Sequence, residues 1–497
     1  MENIKRSFKK VIRVIKEKWL RQTSLTILLV AIIACIYIVL NMVIKNLNLS
    51  PLDFTQEKIY SLSEDSKNEI KKVEQNVTLY YFGYKDSETP VVLGNQYHNE
   101  NDKITVQMVS TSERPDLASE YQITANDKLV AVASSQRYKV VDSNDMYTYD
   151  TTSYQQMDVT EQKLTNAILD VTIVSKPQVY FLTGHNEYGI KSESEGMYML
   201  AQYIGNEVND VSTLDLLSAE MPEKCDVLVI ANPEKDFTDV ETSKIQTYIS
   251  NGGKIFWLQD PYVNIKNYDA NNFKNLNSIL SQFGISFSKG IVVEQSTDNM
   301  IAGLPDLIIP NMTYNEIVKD IYTDGKIIMA DAGKINTAST EELEKLGVTA
   351  SAFVKTSDKA YYKEKFDMTA STLTKSAEDE EGSFVLGEIL TKKINDEKNA
   401  TLVAYSNALF ASDMAIPIGN SATTLIALRN NKDILLNSVA YLTNREDSIR
   451  IRKDTGVVTF NTATATQDTI VKVIIFSVPV IIIIAGITIT IIRKRKK

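Results

Sequence analysis

The two longest apolar runs of the chain stand at its two ends, and that placement limits what the residues between them can be. Leu25 to Ile44 carries no charged side chain, and about 20 helical residues rising roughly 1.5 Å each cross a hydrocarbon core of roughly 30 Å. Val473 to Ile492 is uncharged as well, and its Pro479 and Gly486 are residues a membrane helix tolerates. Both runs therefore predict transmembrane helices, over 25–44 and 473–492. Lys45 to Pro51 offers no small-residue cleavage site, so the first run is expected to stay as an anchor rather than leave as a signal peptide.

Charge orients the pair. Residues 1–24 hold Lys5, Arg6, Lys9, Lys10, Arg13, Lys16, Lys18 and Arg21, and residues 493–497 are all Lys or Arg. Basic flanks stay on the cytoplasmic side, which predicts cytoplasmic tails, a cell-membrane location with two spans, and an extracytoplasmic segment between them. The tails hold 13 of the 53 basic residues and only Glu2 and Glu17 of the 63 acidic ones, so that segment is strongly acidic. Nucleic acid is not an expected partner of such a surface. With two cysteines, Cys35 in the first span and Cys225 outside it, no disulfide can form within the segment. His98 and His185 are the only histidines, which leaves no zinc-ligand spacing, and no cofactor is expected.

Between the spans the pattern is α/β. Residues 51–172 read as a smaller N-terminal mixed α/β domain: Ser63 is placed to cap a short helix, Val77–Phe82, Lys128–Ala133 and Tyr138–Val141 are β-rich, and Ile104, Val106 and Met108 alternate. Thr160 is expected to cap a helix with Leu164, Ala167, Ile168 and Val171 on one face. From 175 to 445 apolar runs alternate with helical periodicity. Val179–Leu182, Asp226–Ala231 and Lys254–Gln259 read as strands buried on both faces, which predicts a doubly wound, mostly parallel sheet. Gly290–Glu294 reads as a further strand and Val385–Ile394 as a helix. Thr401–Ser406 reads as extended and Ile434–Leu442 as a helix, with an irregular insert at about 301–382 and a return linker over 446–472. Thr238 with Glu241 forms a capping-box pattern, and Asn251-Gly252-Gly253 suits a helix C-terminus. The acidic Glu378–Gly382 is expected as a solvated loop.

Candidate ligand-binding residues sit at strand ends. Gly184, His185, Asn186 and Glu187 follow the first buried strand, Asn232 the second and Asp260 the third, and in a doubly wound sheet these ends border one crevice. Such groups suit acid/base work or the holding of a carbohydrate or peptide; the same residue types also serve turns and caps alone. Chemistry that needs more is missing from the sequence. No GxxxxGK[ST] motif is present for ATP, and the third strand runs into Gln259-Asp260-Pro261 with no nucleophile on an elbow. Catalytic residues are therefore not assigned.

The chain resembles the GldG-like auxiliary components of ABC transport systems, a family associated with gliding motility. The resemblance runs through Ile59–Ser63, Val77–Phe82, Arg137–Asp142, Val179–Glu187, Cys225–Pro233, Tyr248–Lys254 and Asn437–Ile451, in that order between the terminal spans. One departure is Asn186, where the family's turn commonly reads Gly-His-Gly-Glu. The resemblance implies an amidotransferase-like domain without its nucleophile. It also implies a membrane-anchored, non-ATPase, non-enzyme subunit whose partners are a separate ABC ATPase and a multi-span permease. Two alternatives stay open: a sensor or hydrolase for an envelope ligand such as a glycan or peptide, and a purely structural envelope anchor.

Overall fold

The computed structural model describes residues 31–33, 35, 60–85, 88–149, 156–173, 175–192, 196–262, 273–301, 303–319, 321–323, 325–364, 373–418 and 421–444. Two compact units divide the chain, Met1–Leu62 and Ser63–Lys497. In the first, Ala31, Ile32, Ile33 and Cys35 are helical and exposed. The expected spans 25–44 and 473–492 otherwise lie outside the described residues, together with the basic tails and the linker 446–472. Among the described residues no helix is long and apolar enough to cross a membrane.

The second unit opens with the helix Glu64–Lys71, capped as predicted by the Ser63 side chain, which accepts a hydrogen bond from the Ser66 N–H. β1 (Val77–Phe82), β2 (Ile104–Val109), β3 (Lys128–Ala133) and β4 (Tyr138–Asp142) then form one sheet in the order β2-β1-β3-β4. β1 and β2 run parallel because the helix Thr89–Glu100, with Pro90 in its first turn, carries the chain back between them. A hairpin of β5 (Tyr147–Tyr149) and β6 (Gln156–Asp158) leads into the helix Thr160–Thr172, whose buried Leu164, Ala167, Ile168 and Val171 confirm the expected face. Its cap differs from expectation. Val159 occupies the cap position, and Asp158 Oδ1 accepts from the Thr160 N–H at 2.8 Å, so the aspartate one residue earlier does the work assigned to Thr160.

β7 (Gln178–Leu182), β8 (Asp210–Leu214), β9 (Val227–Ala231) and β10 (Lys254–Leu258) begin the main sheet. The chain continues through β11 (Ile285–Phe287), β12 (Ile291–Val293), β13 (Met300–Ile301), β14 (Leu304–Ile308), β15 (Asn311–Met312), β16 (Met329–Ala330), β17 (Ile335–Thr337) and β18 (Val348–Lys355). β19 (Tyr361–Lys363), β20 (Glu380–Glu381), β21 (Val385–Lys393) and β22 (Asn399–Tyr405) follow. Ten of these make one sheet in the order β11-β17-β21-β22-β10-β9-β7-β8, with β18 also on β21 and β15 on β18. The parallel runs read as continuous apolar stretches because successive residues enter opposite cores. Val227, Val229, Phe256 and Val403 face the helices Tyr198–Asn206 and Asn431–Leu442. Leu228, Ile230, Trp257 and Leu402 face the helices Asp239–Ser250 and Lys274–Ser281.

Four expectations need correction here. The sheet is mixed rather than mostly parallel: β8, β7, β9, β10 and β22 are parallel neighbours, and every pairing beyond β22 is antiparallel. Of residues 385–394, Val385–Lys393 form the long strand β21, not a helix, because β22 and β18 bond to its two edges. The segment 301–382 is not simply an irregular insert, since it supplies β15, β17 and β18 to the main sheet. Ile291–Val293, read as a strand of that sheet, pairs instead with β19 in a separate three-stranded sheet whose outer member is the exposed Glu380–Glu381.

Candidate functional site

Chain order reverses direction across the parallel half of the sheet: β8 lies to one side of β7 and β9, β10 and β22 to the other. The strand ends at that reversal are where open α/β sheets leave a crevice. Here the reversal falls between the C-terminal ends of β7 and β9.

After β7 the chain turns through Gly184 at φ +123° and Asn186 at φ +61°. Glycine takes such angles freely and asparagine is among the few other residues that do so, so Asn186 keeps the turn that the family the chain resembles usually builds on glycine. The turn then bonds to the one after β9. The Tyr188 N–H donates to Ala231 O at 3.0 Å, and the Glu234 N–H donates to His185 O at 2.8 Å. Asn186 Nδ2 donates to Glu234 Oε2 at 3.3 Å. These bonds draw the two loops across the switch point.

His185 is 4 % exposed. Its Nδ1 lies 3.1 Å from Glu187 Oε1 and its Nε2 3.2 Å from Glu241 Oε2, while the ring meets Phe237 edge-on. Burial by itself would lower the imidazole pKa, but Glu187 and Glu241 outweigh it and hold the ring above its ordinary value. Glu187 Oε2 also accepts the His185 N–H at 2.6 Å. Glu241 Oε2 takes the Thr238 N–H and hydroxyl of the capping box. One carboxylate thus caps the Asp239–Ser250 helix and clasps the β7 turn.

The ends of β9 and β10 are joined in the same way. Asn232 sits at φ +57° and its Oδ1 accepts from Gln259 Nε2 at 2.9 Å and from the Asp260 N–H at 3.1 Å. Asp260 is 5 % exposed. It accepts from the Ala408 and Leu409 N–H groups at 2.7 and 2.9 Å, from Asn407 Nδ2 at 3.2 Å and from the Tyr188 hydroxyl at 3.0 Å. Burial pushes its carboxyl up, against the pull of those two N–H groups and the hydroxyl. Nearby, Asp331 stands at φ +50° and is pushed up to about 6 by burial and by Asp306 and Asp260.

All six sequence-predicted residues lie at the C-terminal ends of β7, β9 and β10. His185, Asn232 and Asp260 are buried there, and their polar atoms engage one another and the neighbouring backbone. The arrangement can hold a charged imidazole and fix four strand ends. Tyr188, Glu241, Asn407 and Asp331 were not among the residues singled out. Asn407 follows the end of β22, and the strand-end rule applied to a fourth strand would have found it. Glu241 was visible only as a cap. Cys225, just before β9, packs half-buried against the second core with its thiol pushed up to about 12, chiefly by burial.

Residues 176–438 match the family described as ABC-type uncharacterized transport system. No curated protein matches the chain. Among solved structures, an IFT52 N-terminal domain is 13% identical, with 53% of this chain and 97% of that one covered, at a TM-score of 0.37. A ThuA-like protein from Bacteroides uniformis is 10% identical over 54% of this chain and 93% of its own, at 0.31. A cytoplasmic protein from Salmonella typhimurium is 10% identical over 53% and 98%, also at 0.31. Likenesses this distant carry nothing about function to this chain.

Proposed function

The chain belongs to the ABC-type uncharacterized transport system family, auxiliary components of ABC transporters, and from that membership we propose that it is a membrane-anchored, non-ATPase subunit of one such system. The family match carries the reading, because it spans the main sheet from β7 to the Asn431–Leu442 helix. Two apolar runs with basic flanks supply the anchors, and the exposed helical Ile32 and Ile33, at 50% and 58% exposure, favour an apolar solvent around the first. Both tails would be cytoplasmic and the acidic segment extracytoplasmic. With no P-loop in the sequence, the energy source is a separate ATPase, and a multi-span permease is the second partner.

In this reading the strand-end residues serve assembly. His185, Glu241, Asn232 and Asp260 lock the loops at one edge of the sheet into a fixed surface, and a fixed surface lowers the ordering cost of docking on a partner. Purification of the full chain from detergent-solubilised membranes tests the assignment. An ATPase and a permease should co-elute in constant ratio; their absence across several detergents would overturn it.

A further inference from the structure

On the same sheet edge, further into the antiparallel half, lies a polar concavity of about 460 Å³. Asn311 and Lys355 form its base as directly opposed residues of β15 and β18, which places their side chains on one face. Thr313, Asp358, Lys359 and Ser383 contribute to the rim. The concavity is built rather than incidental. Glu294, 1 % exposed, accepts from the Gln295 and Ser296 N–H groups at 2.9 Å each, and from the Ser357 N–H and hydroxyl at 3.1 and 2.6 Å. That one carboxylate fixes both walls. Thr356 fixes the floor, its hydroxyl accepting the Phe384 N–H at 2.9 Å.

The groups left over define a ligand. Asn299 Nδ2 donates to Asn311 Oδ1 at 3.2 Å, so the carbonyl of Asn311 is engaged while its amide keeps two donors. Neither the Lys355 nor the Lys359 ammonium forms a salt bridge among the described residues. The lining holds one carboxylate, Asp358, and the Glu294 carboxylate behind it is taken up by four N–H and hydroxyl donors, so among the described residues neither ammonium has a carboxylate within salt-bridge distance, although Lys355 acts at longer range on the buried Glu388. An anion alone would need no hydroxyl-lined wall, and a neutral sugar would leave two ammoniums unpaired. The size falls in the range of about 300–1,000 Å³ usual for small-molecule sites.

We propose that this concavity binds an acidic sugar, a monosaccharide bearing one carboxylate or phosphate, with the lysines on the acidic group and Asn311, Thr313, Ser383 and Asp358 on the hydroxyls. The site is independent of the strand-end clasp and of transporter membership. Isothermal titration calorimetry on the full chain in detergent tests it, using glucuronate, glucose 1-phosphate, glucose and inorganic phosphate as probes. Glucuronate or glucose 1-phosphate should give saturable heat. Lys359→Glu and Asn311→Ala, both at exposed positions, should each weaken that binding by about fivefold or more with the melting temperature unchanged. The proposal fails if neither acidic sugar saturates at millimolar concentration, or if both variants bind like the parent. It fails equally if glucose or inorganic phosphate binds as tightly as the acidic sugars.

Discussion

His185 has a carboxylate on each ring nitrogen, and only an imidazolium can donate to both. The unfolded chain titrates this group near about 6.5, and the fold raises it. Its contribution to stability is therefore complete below about pH 6.5 and is lost as pH rises through the folded value. Urea unfolding of the full chain between about pH 6.5 and 9 should show the parent losing stability, while His185→Gln starts less stable and loses less over that interval. Parallel slopes would remove the charged clasp from consideration. Asp331, Asp260 and Glu388, all pushed up by burial, are present in parent and variant alike, so the difference between the two slopes isolates His185. The strand-end residues were legible one at a time because Gly, Asn and His after an apolar run suggest a turn with polar side chains. Their partners were not. His185 and Glu241 are 56 residues apart in sequence, and no local pattern joins a turn to the first turn of a later helix.

At the scale of elements, local chemistry predicted ends better than identities. The Thr238–Glu241 capping box and the positive φ of Gly252 after the same helix appear as expected, since each depends on a few adjacent residues. Val385-Leu-Gly-Glu-Ile-Leu misled because Val385 and Ile389 satisfy a helical spacing as well as a β alternation. What decides is the company of β18 and β22. Gly387 gives a clean test, because a Cβ there would meet Val354 Cγ2 at 2.9 Å and Tyr405 Cε1 at 3.0 Å. In a helix Gly387→Ala would stabilise by about 1 kcal/mol. In this strand it should destabilise by about 1–3 kcal/mol through overpacking, read as a lower urea midpoint. The buried Glu388 beside it, whose carboxylate accepts from the Thr337 hydroxyl at 2.6 Å, likewise makes sense only in a sheet.

For the whole molecule, the proposed topology can be read by chemistry at one residue. Glu378 is exposed, while the Cys225 thiol, pushed up to about 12, stays protonated and unreactive near neutral pH. In a Cys35→Ser background, a membrane-impermeant maleimide should label Glu378→Cys in intact cells and leave the parent unlabelled; labelling only after lysis would reverse the topology. The sequence by itself determined the terminal apolar runs and their basic flanks, the strands β7, β9, β10 and β22 of the main sheet and the caps at Ser63 and Thr238, because each is written in consecutive residues or a short period. Tertiary structure alone decided that the sheet extends antiparallel beyond β22, that residues 301–382 feed strands into it, and that the polar strand ends bind one another. Those outcomes rest on pairings across tens to hundreds of residues, where edge hydrogen bonds and buried charge must be satisfied by whatever the fold brings near.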